Sequence, residues 1–353
     1  MKMMETILEA NLMDRIEMSY NLICFLLGVP INLITLRWLL GRERGSSSVL
    51  HVHLNISDLL VLFCYCFARF CWLVTYEWKA GQMMCKTMRF AESLSFSVSS
   101  YIVVCIAVNR FCTLRHPLKS AVNWEQRVRT LSCSAWLFAV LFSVPQLFVW
   151  DVYTLDDNYT QCLNIWVKET VDTMLNDAES GVNATAGNPE HWDDAVRLYE
   201  MYHLLVIFWI PLLILICFYA LIIHEMYVTM ALCDNKQLSR QSSSSAQNRF
   251  SLRRSSKSTQ IMKRNRWCAL RSTLILMTAY TLCWLPYNSL ALWGVIDPES
   301  YMEHENTVYI MHGLVVLNSV INPCIYGGAF RRALRSQRKG TKIYKSIALE
   351  QNA

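Results

Sequence analysis

Residues 203–223 read HLLVIFWIPLLILICFYALII, a run of 21 residues without Lys, Arg, Asp or Glu. A helix of about 20 apolar residues is long enough to cross the hydrocarbon core of a bilayer. Six further uncharged or nearly uncharged runs occupy residues 18–36, 54–76, 88–109, 131–150, 272–296 and 307–330. Seven such runs exceed what the core of a soluble protein requires. The sequence therefore predicts an all-α membrane protein, a seven-transmembrane helix bundle over residues 18–330.

The charges of the connecting segments predict the orientation of this bundle. A long loop at residues 151–202 is acidic, with eleven Asp or Glu against two basic residues between 151 and 200. The loop at residues 226–271 has ten Lys or Arg against one acid, and the tail at 331–353 has seven basic residues against one. Lys and Arg accumulate in cytosolic loops. We therefore expect an outer loop at 151–202, an inner loop at 226–271, a cytosolic tail and an extracellular N-terminus at residues 1–17.

The same topology accounts for the net charge and for the cysteines. The charge of +6 lies in segments beside the membrane, which indicates topology and not a nucleic-acid partner. Of fourteen cysteines, only Cys85 and Cys162 fall in predicted extracellular segments, where a disulfide is stable. We expect a disulfide between these two. Sequons at Asn158 and Asn183 are candidate glycosylation sites in the outer loop.

The predicted inner loop is rich in serine and basic residues. Ser251, Ser255 and Ser256 are candidate phosphorylation sites, because this composition is typical of a disordered segment. A merely solvated polar linker fits the same composition equally well.

Polar residues within the predicted spans are functional candidates, because a central charge costs about 2.5–3.5 kcal/mol on insertion scales. They form an ordered series: Asn32, Leu54-Asn55-Ile56-Ser57-Asp58, Asn109-Arg110-Phe111, Trp136, Pro211 with Tyr219, Cys283-Trp284-Leu285-Pro286 and Asn322-Pro323-Cys324-Ile325-Tyr326. In this order on seven spans, the series resembles the rhodopsin-like (class A) G-protein-coupled receptors over about residues 20–335. The resemblance implies a plasma-membrane receptor whose partners are a heterotrimeric G protein, receptor kinases, arrestin and membrane lipids.

The resemblance also implies a buried ion site. Asp58, with Asn32, Asn318, Ser319 and Asn322, resembles the family's sodium and water site, and an allosteric sodium ion is the one cofactor that we expect. A buried carboxylate needs a cation, a proton or several hydrogen-bond donors. A structural hydrogen-bond cluster without an ion therefore stays open as an alternative.

A third implication of the resemblance is an activation switch. Arg110 resembles the arginine that contacts the G protein, although an arginine at a helix end is more often only a membrane anchor. Asn109 stands where the family usually has an acid, so we expect Arg110 to be less firmly restrained, and Tyr280 stands where phenylalanine is common. The predicted switch residues are Asn109, Arg110, Tyr219, Trp284, Asn322, Pro323 and Tyr326.

A narrower resemblance lies in Val74–Gly81 leading to Cys85-Lys86, in Ser99–Ala107 and in Ala291–Trp293. These segments resemble the gonadotropin-releasing-hormone, adipokinetic-hormone and vasopressin-like neuropeptide receptors, especially invertebrate members. This branch implies a peptide hormone as ligand and a calcium-mobilising G protein. The basic stretch Phe330–Lys339 is predicted to form a short amphipathic eighth helix.

Two opposite charges, Arg69 and Glu92, are predicted to lie in the outer third of the bundle. They either neutralise one another or meet the ligand. Aromatic and amide neighbours suit a neutral, blocked peptide terminus. The expected ligand-binding residues are Arg69, Glu92, Gln146, His203, Tyr287, Asn288, Trp293 and His312.

Other functions fit the sequence less well. An opsin needs a lysine in the seventh span, and residues 307–330 contain none. An amine receptor would have Asp at Glu92 and serines in the fifth span, yet residues 203–217 have no serine. A transporter or channel predicts repeated halves or charged pore residues. An enzyme would need a nucleophile constellation or metal spacing in a long loop, and neither is found.

Overall fold

The computed structural model describes residues 2–41, 45–154, 159–169, 171–172, 190–242, 249–297, 300–301 and 311–327. Seven long helices lie within these residues, and we number them α1 to α7. Their ranges are Lys2–Leu40, Ser46–Thr75, Gly81–Arg115, Trp124–Val149, Glu190 to Ser242, Arg249–Ile296 and 311–327. Five of them contain stretches long and apolar enough to cross a membrane: Leu12–Leu40, Ser46–Thr75, Gly81–Arg115, Trp124–Val149 and Asp194–Thr229.

Several helices extend beyond the apolar runs that predicted them. The segment predicted as the extracellular N-terminus, residues 1–17, is helical from Lys2. The expectation of a disordered inner loop was wrong for much of its backbone, since α5 continues to Ser242 and α6 begins at Arg249. Once a helix is nucleated, each added residue of ordinary propensity gains a hydrogen bond. The proposed eighth helix and the sequons at Asn158 and Asn183 lie outside the described residues, as do the side chains of Ser251, Ser255 and Ser256.

Two helices contain a π-helical turn, in which each backbone N–H reaches one residue further back. In α2 this turn spans Leu62–Phe67, and in α5 it spans Leu205–Trp209. Such turns are frequent at functional sites because they rotate the side chains that follow. In α5 the turn falls between His203 and Pro211, at the outer end of the bundle.

An antiparallel pair of strands covers the outer end of α3. Strand β1 (Trp150–Thr154) pairs with β2 (Thr160–Asn164), with Val152 opposite Cys162. We call this pair the outer hairpin. Cys162 forms a disulfide with Cys85 near the start of α3, with a Cα–Cα distance of 5.8 Å. The predicted disulfide is therefore confirmed.

Gln161 of the outer hairpin also connects the hairpin to α2. Its Nε2 donates to the Tyr76 carbonyl oxygen at 2.6 Å, and its Oε1 accepts from Trp72 Nε1 at 3.0 Å. The backbone N–H of Trp78 donates to the Thr160 carbonyl oxygen at 2.8 Å. These contacts fix the hairpin over the space between α2 and α3.

Helix α3 occupies the centre of the bundle and is the most buried of the five candidate spans. Small residues line much of it, because interfaces between membrane helices favour side chains that let the backbones approach. Five serines of α3 are buried: Ser93, Ser95, Ser97, Ser99 and Ser100.

Candidate functional site: an outer cavity above a buried polar core

A cavity of about 140 Å³ lies beneath the outer hairpin, between α3, α4, α5, α6 and α7. Six of the eight predicted ligand-binding residues line it: Glu92, Gln146, His203, Tyr287, Asn288 and His312. Arg89 and Trp150 are further lining residues. An apolar and aromatic wall with a few convergent polar groups is typical of ligand sites. Arg69 lies in a neighbouring cavity, and Trp293 is not among the lining residues of either.

Aromatic rings form the floor of this outer cavity. The Trp284 ring lies 5.7 Å from Phe96, 6.3 Å from Phe208 and 5.3 Å from Tyr280, measured between centroids. Tyr280 is fully buried, and its hydroxyl forms a 2.8 Å hydrogen bond with the Ser100 hydroxyl. The floor therefore joins α6 to α3 through a polar contact below the aromatic cluster.

The polar groups of the cavity differ in whether they already have hydrogen-bond partners. His312 Nδ1 lies 2.5 Å from the Tyr65 hydroxyl, and Gln146 Oε1 accepts from Trp150 Nε1 at 2.8 Å. Asn288 Nδ2 donates to the Trp284 carbonyl oxygen at 2.8 Å. His203 Nε2 is buried without a hydrogen-bond partner among the described residues. A buried polar atom of this kind is costly unless something bonds to it, which suits a ligand contact.

Arg69 and Glu92 have different partners from those that the sequence suggested. Arg69 donates from Nε and Nη2 to the Glu17 carboxylate at 2.7 and 2.8 Å, and its guanidinium lies 4.2 Å from the Trp72 ring centroid. Glu92 accepts from Arg89 Nη1 at 3.0 Å. The expected alternative of an ion pair between Arg69 and Glu92 was wrong, because Arg69 meets Glu17 at the start of the first apolar run and Glu92 meets Arg89.

Sequence reasoning missed three residues of this region: Glu17, Arg89 and Trp150. Arg89 had a signal, since it lies three residues before Glu92, a spacing that brings two helical side chains together. The Arg89 guanidinium lies 4.2 Å from the Trp150 ring centroid. Glu17 directly precedes the first apolar run, and nothing in the sequence pairs it with Arg69.

The predicted ion site is a compact polar cluster between α1, α2 and α7. Asp58 is fully buried and accepts from Asn322 Nδ2 at 3.0 and 3.3 Å. Asn32 Nδ2 donates to the Ser319 carbonyl oxygen at 3.0 Å. Asn318 Oδ1 and Asn322 Oδ1 are buried without partners among the described residues. A carboxylate together with such amide oxygens fits a small, hard cation, which prefers oxygen ligands.

Asn55 connects this cluster to the end of α7. Its Nδ2 donates to Asn32 Oδ1 at 2.7 Å and lies 2.8 Å from the Tyr326 hydroxyl. The Tyr326 ring packs edge-on against His51, with 4.9 Å between the centroids. Tyr326, a residue of the predicted switch, is thus hydrogen-bonded to this cluster, one helical turn after Pro323.

At the end of the bundle opposite the outer cavity, Arg110 contacts α6 through a hydroxyl group. Arg110 Nε donates to Thr273 Oγ1 at 3.1 Å. Asn109 Oδ1 accepts from Arg127 Nε of α4, also at 3.1 Å. Tyr219 of α5 packs against the hydrophobic core. The hydrogen bond to Thr273 therefore joins α3 to α6 at this end of the bundle.

Comparison with known proteins agrees with this arrangement. The chain matches the 7 transmembrane receptor (rhodopsin family) over residues 31–326. It is similar to the G-protein coupled receptor daf-38 of Caenorhabditis elegans, with 29% identity over 90% of this chain and 89% of the relative. It is also similar to the gonadotropin-releasing hormone II receptor of Clarias gariepinus, with 27% identity over 89% of this chain and 75% of the relative. The human vasopressin V1b receptor is 25% identical over 82% of this chain and 65% of the relative. The chain therefore belongs to the rhodopsin family of seven-transmembrane receptors, which are not enzymes.

Proposed function

We propose that this receptor binds an extracellular neuropeptide hormone of the gonadotropin-releasing-hormone or adipokinetic-hormone type in the outer cavity. On binding, it activates a heterotrimeric G protein of the calcium-mobilising class. The observation that carries the proposal is the outer cavity itself, which gathers six predicted contact residues above Trp284. Relatives named as peptide-hormone receptors support the same ligand class.

The charges around the cavity favour a peptide over a small amine. An amine needs a carboxylate with which to pair, and the Glu92 carboxylate is bonded to Arg89 at 3.0 Å. The histidine, asparagine and glutamine side chains can exchange hydrogen bonds with a blocked, uncharged peptide end. A transporter or a channel has no specific support among the contacts of the described residues.

Signal transmission would pass through the contacts between α3 and α6. A ligand that fills the outer cavity presses on Trp284, whose ring packs on Tyr280. Movement of α6 would then break the Ser100–Tyr280 and Arg110–Thr273 hydrogen bonds. Arg110, once released, becomes available to the G protein and to Tyr219 and Tyr326. The structure described above corresponds to the resting state on this account.

The Asp58 cluster fits an allosteric sodium ion. Asp58, Asn318 and Asn322 would supply oxygen ligands, with Asn32 and Ser319 in the surrounding hydrogen-bond network. A bound cation neutralises the buried carboxylate, which favours the packing of α2 against α7. Kinases and arrestin at the inner loop, and a plasma-membrane location with an extracellular N-terminus, belong to the same proposal.

The test is a functional screen of the intact chain. Cells that express it are exposed to a library of synthetic amidated peptides, and calcium release is recorded. We expect at least one peptide to act, with agonist binding that is weakened by guanine nucleotides and with no ion flux. Asn288→Ala should reduce potency, whereas Arg110→Ala should keep binding and lose signalling. A response confined to amines, or ion flux that is insensitive to nucleotides, contradicts the proposal.

A further inference from the structure

The π-helical turn of α5 leaves one backbone carbonyl without a backbone donor. At the end of this turn, the N–H of Ile210 donates to the carbonyl oxygen of Leu205, five residues earlier. In a regular α-helix, the same N–H would donate to Val206 instead. A π-helical bond to Val206 would come from residue 211, and Pro211 has no N–H. The Val206 carbonyl oxygen therefore depends on a side chain for its hydrogen bond.

Tyr101 of α3 supplies this hydrogen bond. Its hydroxyl donates to the Val206 carbonyl oxygen at 3.1 Å. The Tyr101 ring packs edge-on against Phe142 of α4, with 6.5 Å between the centroids, so the side chain lies between two neighbouring helices. An unpaired carbonyl within a membrane is costly, and neighbouring side chains can pair with a carbonyl that proline frees. The bond therefore stabilises the π-helical turn and not a regular helix, in which Ile210 would pair with Val206.

Pro211 leaves one carbonyl without a backbone donor in either form of α5. In the π-helical form, this carbonyl belongs to Val206. In a regular α-helix, Ile210 would pair with Val206, but the Ile207 carbonyl would then face Pro211 and lack a donor. Because each form has one such carbonyl, a single hydroxyl on a neighbouring helix is enough to select between the two forms.

The form of this turn sets the direction of His203. Residues five apart point about 140° apart around a regular α-helix, whereas a π-helical turn brings them towards one face. His203 lines the outer cavity, and Phe208, five residues later, stacks on Trp284 in its floor with 6.3 Å between the centroids. Conversion to a regular helix would rotate the outer end of α5 by one residue, about 100°. His203 would then turn away from the face that carries Phe208.

The direction of His203 matters because of its free ring nitrogen. His203 Nε2 is buried without a hydrogen-bond partner among the described residues, so it is available to a ligand. Rotation by one residue would bring Leu204 to its place. Leu204 is apolar and offers no hydrogen bond, so the rotated form would lose a polar contact.

We propose that Tyr101 is a positioning residue for ligand binding: its hydroxyl holds the π-helical turn of α5, and this turn directs His203 into the outer cavity. The inference rests on the outer cavity being the ligand site, as proposed above. Tyr101 is not among the lining residues of this cavity and acts through His203. Its loss therefore lowers ligand affinity without removing a ligand contact.

The first experiment needs no ligand and measures how accessible position 203 is from outside. The His203→Cys variant is labelled on intact cells with a trimethylammonium methanethiosulfonate reagent, which does not cross membranes. The rate per surface receptor is corrected by the rate of the same chain without this substitution, because the chain has other cysteines. Tyr101→Phe should slow this labelling by about twofold or more, since at least half of the chains then adopt the commoner regular helix.

Two controls separate rotation of α5 from a general change of the cavity. Labelling of Asn288→Cys, on the α6 side of the same cavity, should not respond to Tyr101→Phe. Ser95→Ala removes a hydroxyl of α3 that bonds within its own helix at 2.8 Å, and it should not slow the labelling of His203→Cys.

A deletion provides the rescue. Removal of Val206 takes away the extra residue of the π-helical turn together with the carbonyl that needs Tyr101. It should therefore restore the labelling of His203→Cys in the presence of Tyr101→Phe. Equal labelling of His203→Cys with and without Tyr101→Phe overturns the inference, and so does an equal slowing at Asn288→Cys.

The second experiment uses an active peptide from the screen described above. Tyr101→Phe should reduce its potency by about twofold or more at an unchanged maximal response, because fewer chains present His203. In a chain that already carries His203→Ala, Tyr101→Phe should change the potency no further, because residues that act through one another are not additive. A merely structural role would lower the potency equally in both backgrounds.

The two experiments separate the two proposals. A library without any active peptide contradicts the peptide ligand, while labelling still decides whether Tyr101 sets the direction of α5. An active peptide whose potency falls equally with and without His203→Ala overturns the positioning role alone.

Discussion

The hydrogen bond between Ser100 and Tyr280 gives the sharpest test of how the resting state is held. Both side chains are fully buried, and the bond of 2.8 Å joins two helices that move apart on activation in the proposed mechanism. Hydrogen bonds between membrane helices contribute about 0.6 kcal/mol on average and up to about 1.7 kcal/mol. A value of about 1 kcal/mol for this short, dry bond corresponds to a shift of about fivefold in the ratio of active to resting receptor.

The perturbation is Tyr280→Phe, which removes the hydroxyl and keeps the ring between Phe208 and Trp284. We expect ligand-independent G-protein activation, measured as nucleotide exchange in membranes at equal receptor number, to rise about fivefold. Ser100→Ala should give a similar rise, and the double variant should add nothing further, because one bond is lost only once. Thr281→Val is the control, since its hydroxyl bonds the Met277 carbonyl oxygen within α6 at 3.0 Å.

An additive double variant would show that the two residues act independently and would refute the reasoning. A rise of equal size in Thr281→Val would attribute the effect to a general loosening of α6. Unchanged activity in Tyr280→Phe, with a lower unfolding temperature, would assign the bond to stability alone.

Three further predictions concern the cytosolic end and the disulfide. Thr273→Val removes the hydroxyl that binds Arg110 and should raise basal signalling several-fold, because the resting state loses about 1 kcal/mol of stabilisation. Nucleotide-exchange assays measure this rise. Equal activity would mean that Thr273 does not restrain the arginine. Asn109→Asp should lower basal signalling in the same assay, although Arg127 will share the new carboxylate, and an increase would contradict a restraining role. Cys85→Ser should abolish surface expression or agonist binding, because it removes the disulfide that holds the outer hairpin. Flow cytometry and radioligand binding measure the two effects. Normal binding would show that hydrogen bonds alone hold the hairpin.

The sequence predicted which polar residues are buried, but it did not predict which of them form hydrogen bonds with one another. Asp58, Asn32 and Asn322 are conspicuous because polar groups are rare within apolar spans. The bond from Asn322 to Asp58 joins residues 264 positions apart, and nothing local in the sequence specifies it. The outer cavity is similar, since a count of helical turns placed Arg69 and Glu92 at one depth but did not show that only Glu92 lines this cavity.

The sequence by itself determined the spans and the disulfide, and it predicts the orientation. The hydrocarbon core imposes the length of each span, the cytosolic preference for Lys and Arg sets the direction, and an oxidising exterior leaves one pair of cysteines. These are one-dimensional properties that do not depend on how the helices rotate. For the same reason, the ordered motifs were enough to recognise the family.

Only the tertiary structure decided which side chains meet. Arg69 pairs with Glu17, 52 residues earlier, and not with Glu92, because the start of the α1 span packs against the outer part of α2. Arg110 meets Thr273, 163 residues later, because α6 packs with that face towards α3. Rotation, tilt and helical extension set such contacts, and they follow from the packing of all seven helices together. The pairing of the charges beside the outer cavity and the restraint on the switch therefore depend on the assembled bundle.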